Sequence, residues 1–249
     1  MKILLSPAKS MDMTNKTNVP LVSIPKFEKE AEQLVSKLAR LKPMDLSKLM
    51  SISTDLAQLN YERFQSWSSA IQAPCALSFT GEVYRGLQFS EFSEEEMVVA
   101  QEKIRILSGV YGILRPLDTI CAYRLEMGTK WGPGKAYPTL YSYWKKKLTS
   151  SFLDELEENE VVVNLASNEY SKVLDWKKIN ATVLTPQFRE FKNGQYKTVM
   201  MYAKHARGAM ARYLVQTELK DIETLKGYNI DGYSYDDRQS SENEWVFVR

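Results

Sequence analysis

Val161-Val162-Val163-Asn164-Leu165-Ala166-Ser167-Asn168-Glu169-Tyr170 sets a β-branched triplet directly against a run of small and polar residues. The triplet predicts a buried strand, and the polar run predicts the loop that leaves it. The chain opens the same way: Ile3-Leu4-Leu5 reads as a short buried strand broken by Ser6-Pro7. Loops at the carboxyl ends of strands are where open α/β sheets bind ligands. These two strand-to-loop transitions set the expectation for the rest of the chain.

Helical periodicity surrounds them. Phe27, Ala31, Leu34, Leu38 and Leu41 step by four and three, an amphipathic helix that Pro25 opens as its first residue and Pro43 stops. Leu46, Leu49 and Met50 mark a short helix. Leu56, Leu59, Asn60, Arg63, Phe64 and Trp67 mark another, and Ser51-Ile52-Ser53 leaves room only for a tight hairpin between them. Ser93 starts a helix with Glu94, Glu95 and Glu96 in its first turn, where the dipole favours negative charge, and that helix should reach about Leu107. Trp144, Leu148, Phe152 and Leu156 define another, and residues 206–219 a further one rich in Ala and Met. Strands are expected at residues 75–79, 182–184, 198–202 and 245–248, and a loop over residues 10–20. Strands and helices alternate loosely, so the expected class is α/β, or mixed α+β: a mixed β-sheet flanked by helices, in one domain over residues 1–249.

The 249 residues carry a net charge of only +2, and 44% are hydrophobic, enough for a core. The two cysteines, Cys75 and Cys121, are too few for a disulfide scaffold and suit a reducing compartment. Both sit in apolar surroundings and are expected to be inert, although Arg115 and Arg124 lie near enough in sequence to activate Cys121. No apolar run reaches the length of a signal peptide or a spanning helix, so a cytoplasmic protein with no membrane partner is expected.

The small net charge conceals segregation. Residues 103–147 hold nine Lys or Arg against Asp118 and Glu126, and residues 191–217 hold five basic residues and no acid. A single-sign surface attracts polyanions. The run Lys145-Lys146-Lys147 fits an ordinary solvated helix face. Lys204, Arg207 and Arg212, around His205 and Gly208, are expected at a strand-to-helix junction, where exposed amides bind anions and Gly208 would let a ligand come close.

Several chemistries find no support. The single histidine, His205, cannot supply a two-histidine metal site. No G-x-S-x-G elbow, Walker loop or G-x-G-x-x-G fingerprint occurs. No cofactor, metal site or catalytic residue is expected from these patterns.

Six segments stand out: Ser6-Pro7-Ala8-Lys9-Ser10-Met11-Asp12; Phe79-Thr80-Gly81-Glu82-Val83-Tyr84-Arg85-Gly86-Leu87; Leu107 through Asp118, with Gly109-Val110-Tyr111-Gly112 at its centre; Tyr123-Arg124-Leu125-Glu126-Met127-Gly128; Asn164 through Tyr170; and Lys204-His205-Ala206-Arg207-Gly208-Ala209-Met210-Ala211-Arg212. Together, and in this order, they resemble the YaaA family of bacterial peroxide stress proteins. The resemblance implies resistance to hydrogen peroxide through low free iron and limited damage to DNA and protein. It also implies DNA binding in a positively charged cleft and a helix-hairpin-helix element, which would fall at about residues 44–67. Such hairpins often use glycine, whereas this one has Ser51-Ile52-Ser53.

Physical roles follow for a nucleic-acid or phosphate site. Lys9, Lys204, Arg207 and Arg212 are candidate phosphate contacts and Ser10 a hydrogen-bond donor. Arg115 and Arg124 either take phosphate oxygens bidentately or are held by Asp118 and Glu126 as parts of the fold. Asp12, Asn164, Ser167 and Glu169 are candidate supporting residues, and Tyr111, Tyr123 and Tyr170 would stack on bases if exposed. Two functions stay open: a stress protein that binds duplex or branched DNA without turnover, and an enzyme acting on a nucleotide or nucleobase through carboxylates beside Lys or Arg.

Overall fold

The computed structural model describes residues 1–14, 19, 21–217, 219 and 221–249. The first strand, β1 (Lys2–Leu5), is followed by the two-residue β2 (Ser10–Met11), which stands where a loop was expected; residues 15–18 and 20 of that expected loop lie outside the described residues. Three helices come next: α1 (Glu28–Leu38), α2 (Pro43–Met50) and α3 (Thr54–Gln65). Pro25 lies before α1 rather than opening it, accepting from the Glu28 N–H at 3.2 Å, while Pro43 is the first residue of α2. Ser51 joins α2 to α3 in the left-handed region, with φ 53°, and Ser53 Oγ caps α3 by accepting from Leu56 N–H at 3.3 Å.

The chain continues through β3 (Gln72–Pro74), α4 (Cys75–Ser78), β4 (Phe79–Thr80), α5 (Glu82–Leu87) and α6 (Glu94–Lys103). The strand expected at residues 75–79 is therefore mostly a single helical turn, buried on every side, so no alternation marked it. Ser93 does start α6, with a reciprocal cap to Glu96. That helix stops at Lys103, because Ile104 turns extended and β5 (Ile104–Ser108) begins with no loop between.

Then come β6 (Gly112–Leu114), β7 (Thr119–Cys121), α7 (Leu140–Leu153), β8 (Val161–Asn164) and α8 (Asn168–Ser171). The remainder comprises β9 (Thr182–Lys192), β10 (Gln195–Lys197), α9 (Met200–Gln216), β11 (Ser234–Tyr235) and β12 (Glu244–Val248). The strand expected at residues 198–202 is thus displaced to β10. The last helix begins earlier and ends earlier than expected, and Glu218 lies outside the described residues.

The main sheet has eight strands in the order β11-β12-β9-β8-β1-β5-β6, with β10 paired to β9. β12, β9, β8, β1 and β5 are mutually parallel, and antiparallel strands close the edges. Mixed α/β architecture is what the alternating elements predicted. From β1 the chain crosses to β5 on one side, and β8, β9 and β12 build outward on the other. The strand order therefore reverses between β1 and β8, the position at which open α/β sheets bind ligands. The core fills both faces: Ile3, Leu4, Leu5, Val162 and Val163 are fully buried, as are Trp144, Phe152 and Leu214. Among the described residues, no helix is long and apolar enough to cross a membrane.

Candidate functional site

The loops after β1 and β8 are tied together at the reversal. Ser6 Oγ accepts from the Ser167 N–H at 2.8 Å, and the two hydroxyls lie 3.3 Å apart. Tyr84 on α5 donates its hydroxyl to the Ser6 carbonyl at 3.0 Å. Helix α5 in turn packs on α9 through two glycines. A Cβ on Gly208 would lie 1.8 Å from the Val83 carbonyl oxygen, and one on Gly86 would lie 2.1 Å from that of His205. Gly208 is therefore required for helix crossing, inside a continuous α9, and not at a strand-to-helix junction where a ligand approaches.

That crossing fixes the face on which Lys204 and Arg207 sit, one turn apart. Both line a 270 Å³ cavity with Ser6, Lys9 and Ser10 from the first loop, and Ser167, Glu169 and Tyr170 from the β8 side. Glu82, Val83 and Tyr84 of α5 also line it. Ser10 is held by the Thr80 carbonyl, at 3.2 Å.

The cavity's charges are mixed. Lys9 Nζ pairs with Glu126 Oε2 at 2.6 Å, and Arg124 Nη2 approaches Glu126 Oε1 at 3.3 Å, so one carboxylate bridges both cations. Glu169 accepts from the Gly128 N–H at 2.9 Å. Among the described residues neither Lys204 nor Arg207 forms an ion pair, and the Arg207 Nε is buried with no hydrogen-bond partner. Desolvation pulls the Arg207 guanidinium below its ordinary pKa, although a guanidinium remains charged at neutral pH. Burial pushes the Tyr84 and Tyr170 phenols well above their ordinary values, so both are neutral donors.

A wider groove of 790 Å³ abuts this cavity, sharing Glu169 with it. It runs beside the α2–α3 hairpin, from Asp45, Lys48 and Ser51 on one wall to Glu126 and Lys130 on the other.

The profile of the peroxide stress protein YaaA family matches residues 1–239. This chain belongs to that family. Curated relatives, each carrying the name UPF0246 protein, match it end to end. The chain is 44% identical over 253 residues to one from Flavobacterium psychrophilum, covering 100% of both chains. It is 43% identical over 257 residues to one from Saccharophagus degradans and 41% identical over 255 residues to one from Colwellia psychrerythraea, covering 100% of this chain and 99% of each relative.

In this YaaA-family chain the expected site residues divide. Lys9, Ser10, Ser167, Glu169, Lys204 and Arg207 line one cavity, and Glu126 and Arg124 join it through Lys9. Arg115 does not: its backbone N–H, Nε and Nη2 all bond the buried Asp118 carboxylate at 2.8–3.2 Å, which also accepts from Ser23 Oγ. Both residues lock a turn. Arg212, two turns beyond Lys204 on α9, pairs with Glu91 at 2.9 Å and lies 5.7 Å from the Phe92 ring. Asp12 caps its own loop by accepting from Thr14, and Asn164 Oδ1 accepts from the Ala166 N–H, shaping the turn out of β8.

Tyr111 and Tyr123 are buried and cannot stack on a base: Tyr111 accepts from the Cys121 N–H and Tyr123 bonds Ser108. Cys75 and Cys121 are buried free thiols, each pushed up in pKa chiefly by desolvation, so no arginine activates Cys121. Ser6, Glu82, Val83 and Tyr84 were not assigned roles beforehand. The signal was the two motifs that contain them, whose odd composition fits neither strand nor helix periodicity.

Proposed function

We propose that this chain serves the peroxide stress response by binding DNA, with phosphates held by Lys9, Lys204 and Arg207. One observation carries the reading: cations from residue 9 and from α9, distant in sequence, line a single cavity at the strand-order reversal, and two of them lack an acidic partner. Phosphodiesters are the commonest polyanion to fill such a position. The α2–α3 hairpin, beside the adjoining groove with Lys48 and Lys130, supports a duplex lying along that groove in the manner of a helix-hairpin-helix element. Bound protein would shield the strand from iron-generated oxidants.

Anisotropy of a labelled duplex and a four-way junction, titrated across salt, tests this. Affinity should fall steeply with salt. The triple variant Lys9→Ala, Lys204→Ala, Arg207→Ala should lower the log–log salt slope by up to ~0.9 per lost phosphate contact. Equal affinity and slope for variant and parent would end the proposal. A nucleotide- or nucleobase-processing reaction is the second reading. It draws on Glu169 and Glu82 standing in the same cavity as the cations, and release of a free base or altered nucleotide would establish it.

A further inference from the structure

We propose that the cavity between the β1 and β8 loops receives a single nucleotide unit, its phosphate against Arg207 and Lys204 and its base against the apolar wall. This rests on the DNA reading for the source of the nucleotide, not for the pocket itself. Size argues first. At 270 Å³ the cavity lies at the lower edge of the ~300–1,000 Å³ typical of small-molecule pockets, and no duplex enters such a space. The cations that would hold a phosphate line this cavity, Lys204 from an exposed position and Arg207 half-buried, and neither lines the wider groove.

Charge argues second. Arg207 is half-buried, its Nε is shielded without a hydrogen-bond partner, and its positive charge lacks an acidic neighbour among the described residues, which suits it to an anion in the cavity it lines. A phosphate is such an anion and can also bond Lys204. A carboxylate ligand would satisfy Arg207 alone, but the lining offers more than charge. Val83 is half-buried and apolar, and Tyr84, Tyr170 and Leu165, at most 7% exposed, complete an apolar wall against which a planar base can pack without stacking on a ring face. Glu169, pinned by the Gly128 N–H, keeps lone pairs free for an exocyclic amino group.

Position argues third. The cavity meets the 790 Å³ groove at Glu169. A strand following the groove could rotate one nucleotide out of its stack and into the cavity while its neighbours stay outside. The same chemistry also fits a free mononucleotide, and the experiment separates the two sources.

A duplex carrying 2-aminopurine opposite a mismatched base is titrated with the protein to saturation, and deoxynucleoside 5′-monophosphates are titrated separately by calorimetry. A fluorescence rise of several-fold with the parent, abolished at saturating Arg207→Leu, means that the pocket holds an everted nucleotide. Lys204→Ala, on an exposed position, repeats the test where folding is not at issue. No rise, with mononucleotide heat that Arg207→Leu removes, means that it holds a free nucleotide. Mononucleotide binding without any duplex binding upholds the pocket and sinks the DNA reading. Duplex bound with neither signal overturns the inference and leaves DNA binding in place.

Discussion

Arg105 is buried and Arg207 half-buried with a shielded Nε, and their surroundings differ completely. Arg105, in β5, is 6% exposed; its Nε meets Glu155 at 2.5 Å and its Nη1 donates to the carbonyls of Gln101, Glu102 and Ile104 at 2.8–3.1 Å. Arg207, on α9, has a buried Nε and, among the described residues, no partner. A buried charge is tolerated when paired and fully hydrogen-bonded, and is expensive otherwise. The first arginine is part of the fold. The second lines a cavity with its charge unpaired among the described residues, the feature on which the proposed phosphate site rests.

The largest effect should come from breaking the frame that holds Arg207. Gly208→Val would drive its side chain into the Val83 carbonyl, which a Cβ already meets at 1.8 Å, and backbone cannot step aside. The expected loss is ~3 kcal/mol or more, with DNA binding lost alongside; an unchanged melting temperature would mean that the helices are not in this register. Arg105→Ala should come next, at about 2–3 kcal/mol, less than for a fully buried pair because Glu155 retains some solvent. Chemical denaturation reads it, and the folded fraction should bind DNA as the parent does. Arg207→Leu should do the reverse. Stability should hold or rise by about 1 kcal/mol, since an unpaired charge is removed, while affinity drops roughly tenfold, about 1.4 kcal/mol. A large loss of stability in Arg207→Leu would show that the guanidinium is structural, and the contrast with Arg105 would collapse.

What was legible in the chain follows the same division. Phe27, Ala31, Leu34 and Leu38 announced α1 because one face is buried and the other wet. Val161-Val162-Val163 announced β8 because a β-branched triplet has few other homes. Residues 75–79 misled because burial on all sides erases the period that separates helix from strand. Ile104 misled because a helix passes into a strand without a breaker residue. Lys9, Lys204 and Arg207 were readable as cations near strand ends, and their convergence was not, since it depends on two glycines letting α5 and α9 touch. For Arg115 the sequence left open a phosphate contact or a structural pairing with Asp118. The Asp118 carboxylate, 1% exposed, decides for the second: its charge is spent on a turn.

The smallest effect, and the sharpest division between the two kinds of arginine, should come from Glu126→Gln. Glu126 stands between the cases, neutralising Lys9 at 2.6 Å and Arg124 at 3.3 Å beside the cavity. Lys9 is largely exposed, so the pair contributes only ~0.2–1 kcal/mol and the fold should barely register its loss. Removing the carboxylate charge frees two cations for phosphate. Affinity at low salt should therefore rise about two- to fivefold, and the log–log salt slope should steepen by up to ~0.9 for each freed cation that takes a phosphate. Were Lys9 and Arg124 committed to structure as Arg105 is, the substitution would instead lower the melting temperature and leave the slope unchanged. A variant that binds DNA more tightly while folding no better would place Glu126 as the acid that tempers this cavity and Arg207 as the charge it leaves untempered.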